Sequence, residues 1–272
     1  EIKLPSVKVN DINIYYEVHG EGYPLVLIRG LSSSLKSWPP YSINQFSKSF
    51  KTILFDNRGA GRTDIPDGDY SAKIMADDTI GLMNALDINK AHILGFSMGG
   101  CIAQEIILNY PKRVAKLILT SSWCGPSHGI MPNPEENPFP KMTPLLQEGN
   151  YEQMAKILTD SLFPEYYKKN NPRIIEKIVE NYINNAPSLK GFQGQSAYVD
   201  TFDTFDRLSE IKSSTLILHG TEDKILPVEN AKILARKILT AELVLFENTG
   251  HGMNIQENRL WTQKVIDFLK KD

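Results

Sequence analysis

With 272 residues, 41% hydrophobic and 23% charged, the chain is long enough to bury one large core and has the composition of an ordinary globular enzyme. A net charge of −2 argues against a surface for nucleic acid or anionic membrane, and two cysteines form neither a disulfide framework nor a metal cluster. No run reaches the ~18 apolar residues of a membrane helix, and Glu1-Ile2-Lys3-Leu4-Pro5 lacks an apolar signal core, so cytoplasmic residence is the expectation.

Residues 7–18 alternate around Ile12, Ile14 and Tyr16, the period of antiparallel strands. Short continuous apolar runs follow at Leu25–Ile28, Thr52–Phe55, Ala91–Leu94, Leu117–Leu119, Leu216–Leu218 and Leu243–Phe246. Strands buried on both faces read this way, because helices cover both sides of a parallel sheet. Helical patterns alternate with them at about 40–48, 72–87, 98–110, 228–238 and 257–270, which predicts a mostly parallel, doubly wound α/β sheet.

One segment breaks the rhythm. After Thr120-Ser121-Ser122 no sheet strand is expected until about Thr215. Six of the sixteen prolines fall between Pro126 and Pro144, which predicts an irregular excursion. Helical patterns at 151–163, 172–185 and 188–205 follow. The expected organisation is a core of residues 1–123 and 213–272 carrying a helical cap of residues 124–212.

Gly95-Phe96-Ser97-Met98-Gly99-Gly100 joins the Ala91–Leu94 run to a helical pattern, and strand, Gly-x-Ser-x-Gly, helix is the nucleophile elbow. A serine hydroxyl needs a general base, which a carboxylate must orient. Of five histidines, His92 lies inside a buried strand, and His19 and His128 sit in turn-rich surface stretches. His219 ends a strand too stiffly to reach Ser97. His251, flanked by Gly250 and Gly252 after the last strand, is the expected base. Asp223, in Gly220-Thr221-Glu222-Asp223, is the expected carboxylate, its short side chain holding an imidazole more rigidly than its neighbour Glu222. The order Ser, Asp, His matches the elbow motif. Oxyanion donors are expected from the backbone amides of Met98 and Leu31, with Gly30 letting the chain pass close to substrate.

The chain resembles capped members of the α/β-hydrolase superfamily over nearly its full length. The residues that carry the likeness are Gly95 to Gly100, the Phe55-Asp56-Asn57-Arg58-Gly59-Ala60-Gly61-Arg62-Thr63 turn, Gly220 to Asp223, and Gly250-His251. Within the superfamily it is most similar to the cluster of esterases, 3-oxoadipate enol-lactonases and cofactor-free haloperoxidases. Members usually carry His-Gly before the oxyanion loop, whereas this chain has Arg29-Gly30; a structural ion pair is the expected role of Arg29, with pairing to an acidic substrate as the alternative. Arg58 is expected to tie loops together. Trp38, Met98, Trp123, Phe139, Phe163, Phe192, Tyr198, Phe202, Phe205 and Met253 are candidate pocket linings, and of these Trp38, Trp123, Phe163, Phe202 and Met253, with Gly30, are the expected substrate-binding residues.

Residues and resemblance together lead to the expectation of a serine hydrolase of carboxylic esters that needs no metal or organic cofactor. Its partner would be a small-molecule ester or lactone. Lactone or enol-lactone hydrolysis, peroxide-dependent haloperoxidase or perhydrolase chemistry, and a non-catalytic receptor are the alternatives. Acyl chain, leaving group and oligomeric state are not legible.

Overall fold

The computed structural model describes residues 5–271; Glu1 to Leu4, and with them most of the stretch read for a signal core, lie outside the described residues. Its sheet is built from β1 (Ser6–Val9), β2 (Ile12–His19), β3 (Tyr23–Ile28), β4 (Phe50–Phe55), β5 (Ala91–Phe96), β6 (Val114–Thr120), β7 (Thr215–Gly220) and β8 (Ala241–Phe246). The spatial order is β1-β2-β4-β3-β5-β6-β7-β8, antiparallel at β1/β2 and β2/β4 and parallel thereafter. The order reverses at β3, with β4 on one side and β5 on the other, so their carboxyl ends open a crevice of the kind where such sheets bind ligands.

The apolar runs divide between two faces. Val26, Ile28, Ile53, Phe55 and Ile93 point into one buried cluster, under α2 (Ala72–Ala85), α3 (Met98–Asn109) and α10 (Glu229–Lys237). Leu25, Leu27, Leu54, Leu94 and Phe96 point into the other, with Phe46 of α1 (Pro40–Phe46) and Trp261 of α12 (Asn258–Lys270). Alternation along each strand therefore feeds two dry layers, and each buried aliphatic side chain contributes about 1.5–3 kcal/mol of transfer free energy.

Between β6 and β7 run six helices, α4 (Phe139–Glu148), α5 (Tyr151–Leu162), α6 (Glu165–Asn170), α7 (Pro172–Asn184), α8 (Leu189–Ser196) and α9 (Tyr198–Thr201). A one-turn helix, α11 (Met253–Gln256), precedes α12. Asn150 and Ser188 cap α5 and α8 by accepting from the amides of Gln153 and Gly191. The proline-rich stretch is only partly irregular, since α4 begins inside it. Pro140 occupies the first turn, where a missing N–H is harmless, and Pro144 forfeits only one bond. The expected 188–205 helix is broken after Ser196 and again at Phe202, whose backbone is extended. Among the described residues no helix is long and apolar enough to cross a membrane.

Candidate active site

Ser97 stands between β5 and α3 with φ 56° and ψ −122°, a conformation ordinary side chains avoid. Neighbouring glycines permit it. A Cβ on Gly95 would strike the Gly99 carbonyl, and one on Gly99 would strike the Ile28 carbonyl at the end of β3. Ser97 N donates to Thr120 O at 2.9 Å and Ser122 Oγ to Ser97 O at 3.0 Å, so β6 holds the strained turn in place.

His251 comes from the loop after β8 and Asp223 from the loop after β7. His251 Nδ1 donates to Asp223 Oδ2 across 2.7 Å. Asp223 Oδ1 accepts from the amides of Ile225 and Leu226 at 2.9 and 2.8 Å. Burial alone would raise the Asp223 carboxyl, but the imidazoles of His251 and His219 outweigh it and hold the group well below the usual carboxylate range. His219 has a part that the sequence did not disclose. Its Nε2 lies 2.7 Å from Leu226 O, which can only accept, so this nitrogen carries the proton and also points at Asp223 Oδ2, 3.2 Å away. Glu222 is exposed and faces away.

Ser97 and His251 line one cavity of about 570 Å³, its mouth included. No hydrogen bond joins the Ser97 hydroxyl to His251 among the described residues, a slackness common in resting sites whose contacts tighten with substrate. The loop after β3 packs against Ser97. A Cβ built on Gly30 would stand 3.0 Å from Ser97 Cβ and 3.5 Å from its Oγ. The amides of Leu31 and Met98, the expected oxyanion donors, donate to no other group among the described residues. Ser32, with φ 58°, donates its amide to Gln195 Oε1 at 2.7 Å. Gln195 Nε2 in turn donates to Arg58 O at 2.7 Å, so α8 clamps the loop. Asn57 Nδ2 to Arg29 O (3.1 Å) and Leu35 N to Asp56 Oδ1 (2.6 Å) brace it from the turn after β4. Arg58 itself is held by Asp78 and Asp11, tying α2 to the β1–β2 turn.

The lining departs from expectation. Gly30 borders the cavity, as do Phe139 and Phe192, together with Met142, Leu158, Leu162, Tyr182 and Ile225. Trp123, Phe163, Phe202 and Met253 do not. They are at most 2% exposed and packed into the two core layers. Trp38 stacks on Trp261 and lines a separate outer groove. Composition could mark these aromatics as apolar but not which side of a layer they face.

Arg29 also corrects an expectation, since among the described residues no carboxylate pairs with it. Its guanidinium lies 4.7 Å from the ring centres of both Trp38 and Phe96, and Nε and Nη1 are buried without partners. Burial lowers it to about 10, so it remains a cation at neutral pH. Cys101 and Cys124 are buried thiols pushed up to about 12 and about 11 by desolvation, which leaves them unreactive.

Residues 23–258 match the family model described as the alpha/beta hydrolase fold. A protein of Rhizobium rhizogenes named "Putative carbamate hydrolase RutD" is 29% identical over 266 residues, covering 94% of this chain and 98% of its own length. The 2-hydroxy-6-oxo-6-phenylhexa-2,4-dienoate hydrolase of Comamonas testosteroni is 28% identical over 276 residues, 99% of this chain and 95% of that one. In three dimensions the crystal structure of the enol-lactonase from Burkholderia xenovorans LB400 superposes with a TM-score of 0.87 at 24% identity, over 98% of this chain and 100% of that one. The eight-stranded, mostly parallel sheet and the extent of these matches place the chain in the α/β-hydrolase family, as a hydrolase.

Proposed function

We propose that the chain cleaves carboxylic esters through an acyl-enzyme, using Ser97 as nucleophile, His251 as base and Asp223 as the group that fixes the imidazole. The observation that carries this reading is the Asp223–His251 pair opening onto the same cavity as the strained Ser97, with two unengaged amides alongside. The Ser97 hydroxyl gives its proton to His251 Nε2 as it attacks the ester carbonyl. Negative charge then develops on the carbonyl oxygen, where the Leu31 and Met98 amides meet it, a donor pair each member of which is worth about 10²–10³ in kcat. The imidazolium, steadied by Asp223, returns the proton to the leaving alkoxide. Water repeats the sequence on the acyl-enzyme and frees the acid. No step calls on a metal or organic cofactor.

In this reading residues 1–123 and 213–272 carry the chemistry and residues 124–212 act as the cap that selects substrate. The cap supplies Phe139, Met142, Leu158, Leu162, Tyr182 and Phe192, the apolar side chains that would enclose an acyl or alcohol group. Hydrolysis of a lactone needs the same parts. C–C bond hydrolysis is the second reading, favoured by the near full-length likeness to the dienoate hydrolase of Comamonas testosteroni.

A turnover panel separates them: aryl acetate, butyrate and octanoate, a γ-lactone, an aryl carbamate, a 2-hydroxy-6-oxo-dienoate, and peroxide-dependent halogenation. The expected result is that aryl esters turn over fastest and that Ser97→Ala abolishes the activity. Turnover of the dienoate or carbamate alone would overturn the ester reading.

A further inference from the structure

Two cavities meet at Arg29. One is the inner space with Ser97 and His251; the other is the outer groove lined by Trp38, Ile174, Ile178 and Ile255 with Lys36 and Lys177 at its rim. Arg29 and Tyr182 border both. Among the described residues no Asp or Glu lines either space. Arg29 is only 4% exposed and, among the same residues, makes no ion pair and leaves two guanidinium nitrogens unpartnered.

A buried cation of this kind is expensive to keep unless something offsets its lost hydration. The rings of Trp38 and Phe96, nearly perpendicular to each other, lie 4.7 Å from the guanidinium carbon and supply part of the offset, but they take up none of its N–H donors. Phe96 also meets the His251 ring edge-on at 5.3 Å, so the cation stands one aromatic ring away from the base. The unfilled requirement is therefore an acceptor for these N–H donors, arriving with the ligand, and a carboxylate meets it across the Nη1–Nη2 edge.

We propose that Arg29 is the recognition site for a carboxylate on the substrate, so that the preferred ester belongs to a molecule bearing a second, ionised acid group. The guanidinium fork receives that carboxylate bidentately. Lys36 and Lys177, both exposed and free of ion pairs among the described residues, line the approach and raise the local concentration of anions. The cap residues continue to accommodate the apolar remainder. The inference rests on the hydrolase reading for its turnover arm and is independent of it for its binding arm.

The turnover arm uses matched pairs that differ only in charge. 4-Nitrophenyl hydrogen adipate against 4-nitrophenyl methyl adipate places the charge on the acyl side; 4-acetoxybenzoate against its methyl ester places it on the leaving group. The wild type should favour the anionic member of one pair, and the preference should weaken with added salt. Arg29→Met, a replacement of similar length, should lower kcat/KM for that member by about 10- to 100-fold while changing its neutral counterpart little. Arg29→Lys should retain part of the preference, keeping the charge without the fork. Equal treatment of both members of both pairs by the wild type, or an equal fall in Arg29→Met, would overturn the proposal and leave the guanidinium as packing between Trp38 and Phe96.

The binding arm titrates adipate into Ser97→Ala by calorimetry, with Arg29→Met added as a second substitution. Binding lost in the double variant supports the proposal even if no ester on the panel is turned over, an outcome that would sink the ester reading alone. Absence of binding to Ser97→Ala, together with no charge preference in turnover, would sink the carboxylate site. Should Arg29→Met fail to fold, the wild-type pairs and the Arg29→Lys variant still decide it.

Discussion

His219 Nε2 lies 3.2 Å from Asp223 Oδ2, the same oxygen that accepts from His251 Nδ1 at 2.7 Å. Asp223 is thus surrounded by four donors, two imidazoles and two backbone amides, and its orientation is fixed before any substrate arrives. Asp223→Asn should leave the fold intact and lower kcat by roughly 10³–10⁴, because the imidazole tautomer is no longer held. Removing the supporting donor with His219→Phe should lower kcat by about tenfold with KM nearly unchanged, one charge-assisted bond being lost. Glu222→Gln should change activity by at most about tenfold. Steady-state kinetics on an aryl ester reads all three, and a large effect at Glu222 with a small one at Asp223 would reverse the assignment.

A second expectation concerns the approach of β3 to the nucleophile. Gly30→Ala would place a methyl 3.0 Å from Ser97 Cβ, forcing the oxyanion loop outward. A displacement of a few tenths of an ångström at this point should reduce kcat/KM by about tenfold. A fluorophosphonate should label the wild type once, at Ser97, and label Gly30→Ala more slowly by a similar factor. Peptide mapping that finds the label elsewhere would remove Ser97 from the mechanism.

Ser97, His251 and Asp223 could be singled out because each stands in a short motif whose residue types are dictated by local geometry, and the structure brings the three together. Gly95 faces backbone only four residues on, at Gly99, and such a contact leaves a pattern in sequence, whereas Gly99 faces the distant carbonyl of Ile28. The oxyanion loop was legible for the same reason. What the sequence withheld depends on packing between distant segments. Gln195 reaches Ser32 across 163 positions, and nothing local distinguishes it from Gln193 two residues earlier. Phe163 and Phe192 are both aromatic residues of the helical excursion. Phe163, the extended residue that ends α5, packs in the core beside Gly252, whereas Phe192 within α8 reaches the cavity. Arg29 read as half of an ion pair because buried guanidinium groups usually are, and the missing carboxylate could be seen only with all its neighbours in place.

His92 offers a test of stability against pH. It lies in β5 between Tyr23 and Phe50, buried and with Nδ1 unpartnered. Burial, with Lys116 and Lys90 nearby, lowers it from 6.5 to about 4. Between those values the unfolded chain holds a proton that the folded chain does not, so stability falls as pH drops from 6.5 toward 4. The loss from this residue is on the order of 3 kcal/mol at most. Denaturant unfolding of wild type and His92→Phe should show equal pH dependence above pH 7 and a flatter curve for the variant below 6.5. Parallel curves throughout would mean that His92 protonates freely in the folded protein.

Substrate choice should follow the wall that borders the cavity and not aromatic content as such. Phe192 on α8 lines the space beside Ser97, packed with Met142, Leu146 and Met154. Phe192→Ala should therefore change kcat/KM unequally across aryl acetate, butyrate and octanoate, by about 1–3 kcal/mol per methylene-scale change in fit. Its rate of labelling by a small phosphonate should hardly move, because Ser97, His251 and the Leu31 and Met98 amides are untouched. Phe163 and Phe202 are each 2% exposed within the core layer, and their truncation leaves cavities that reduce stability by about 3–5 kcal/mol. Phe163→Ala and Phe202→Ala should accordingly lower all three esters by one factor that tracks the folded fraction. If Phe192→Ala instead lowered the three esters equally while Phe163→Ala reordered them, the cavity wall would have been assigned to the wrong side of α5, and the selecting surface would be the one beneath it.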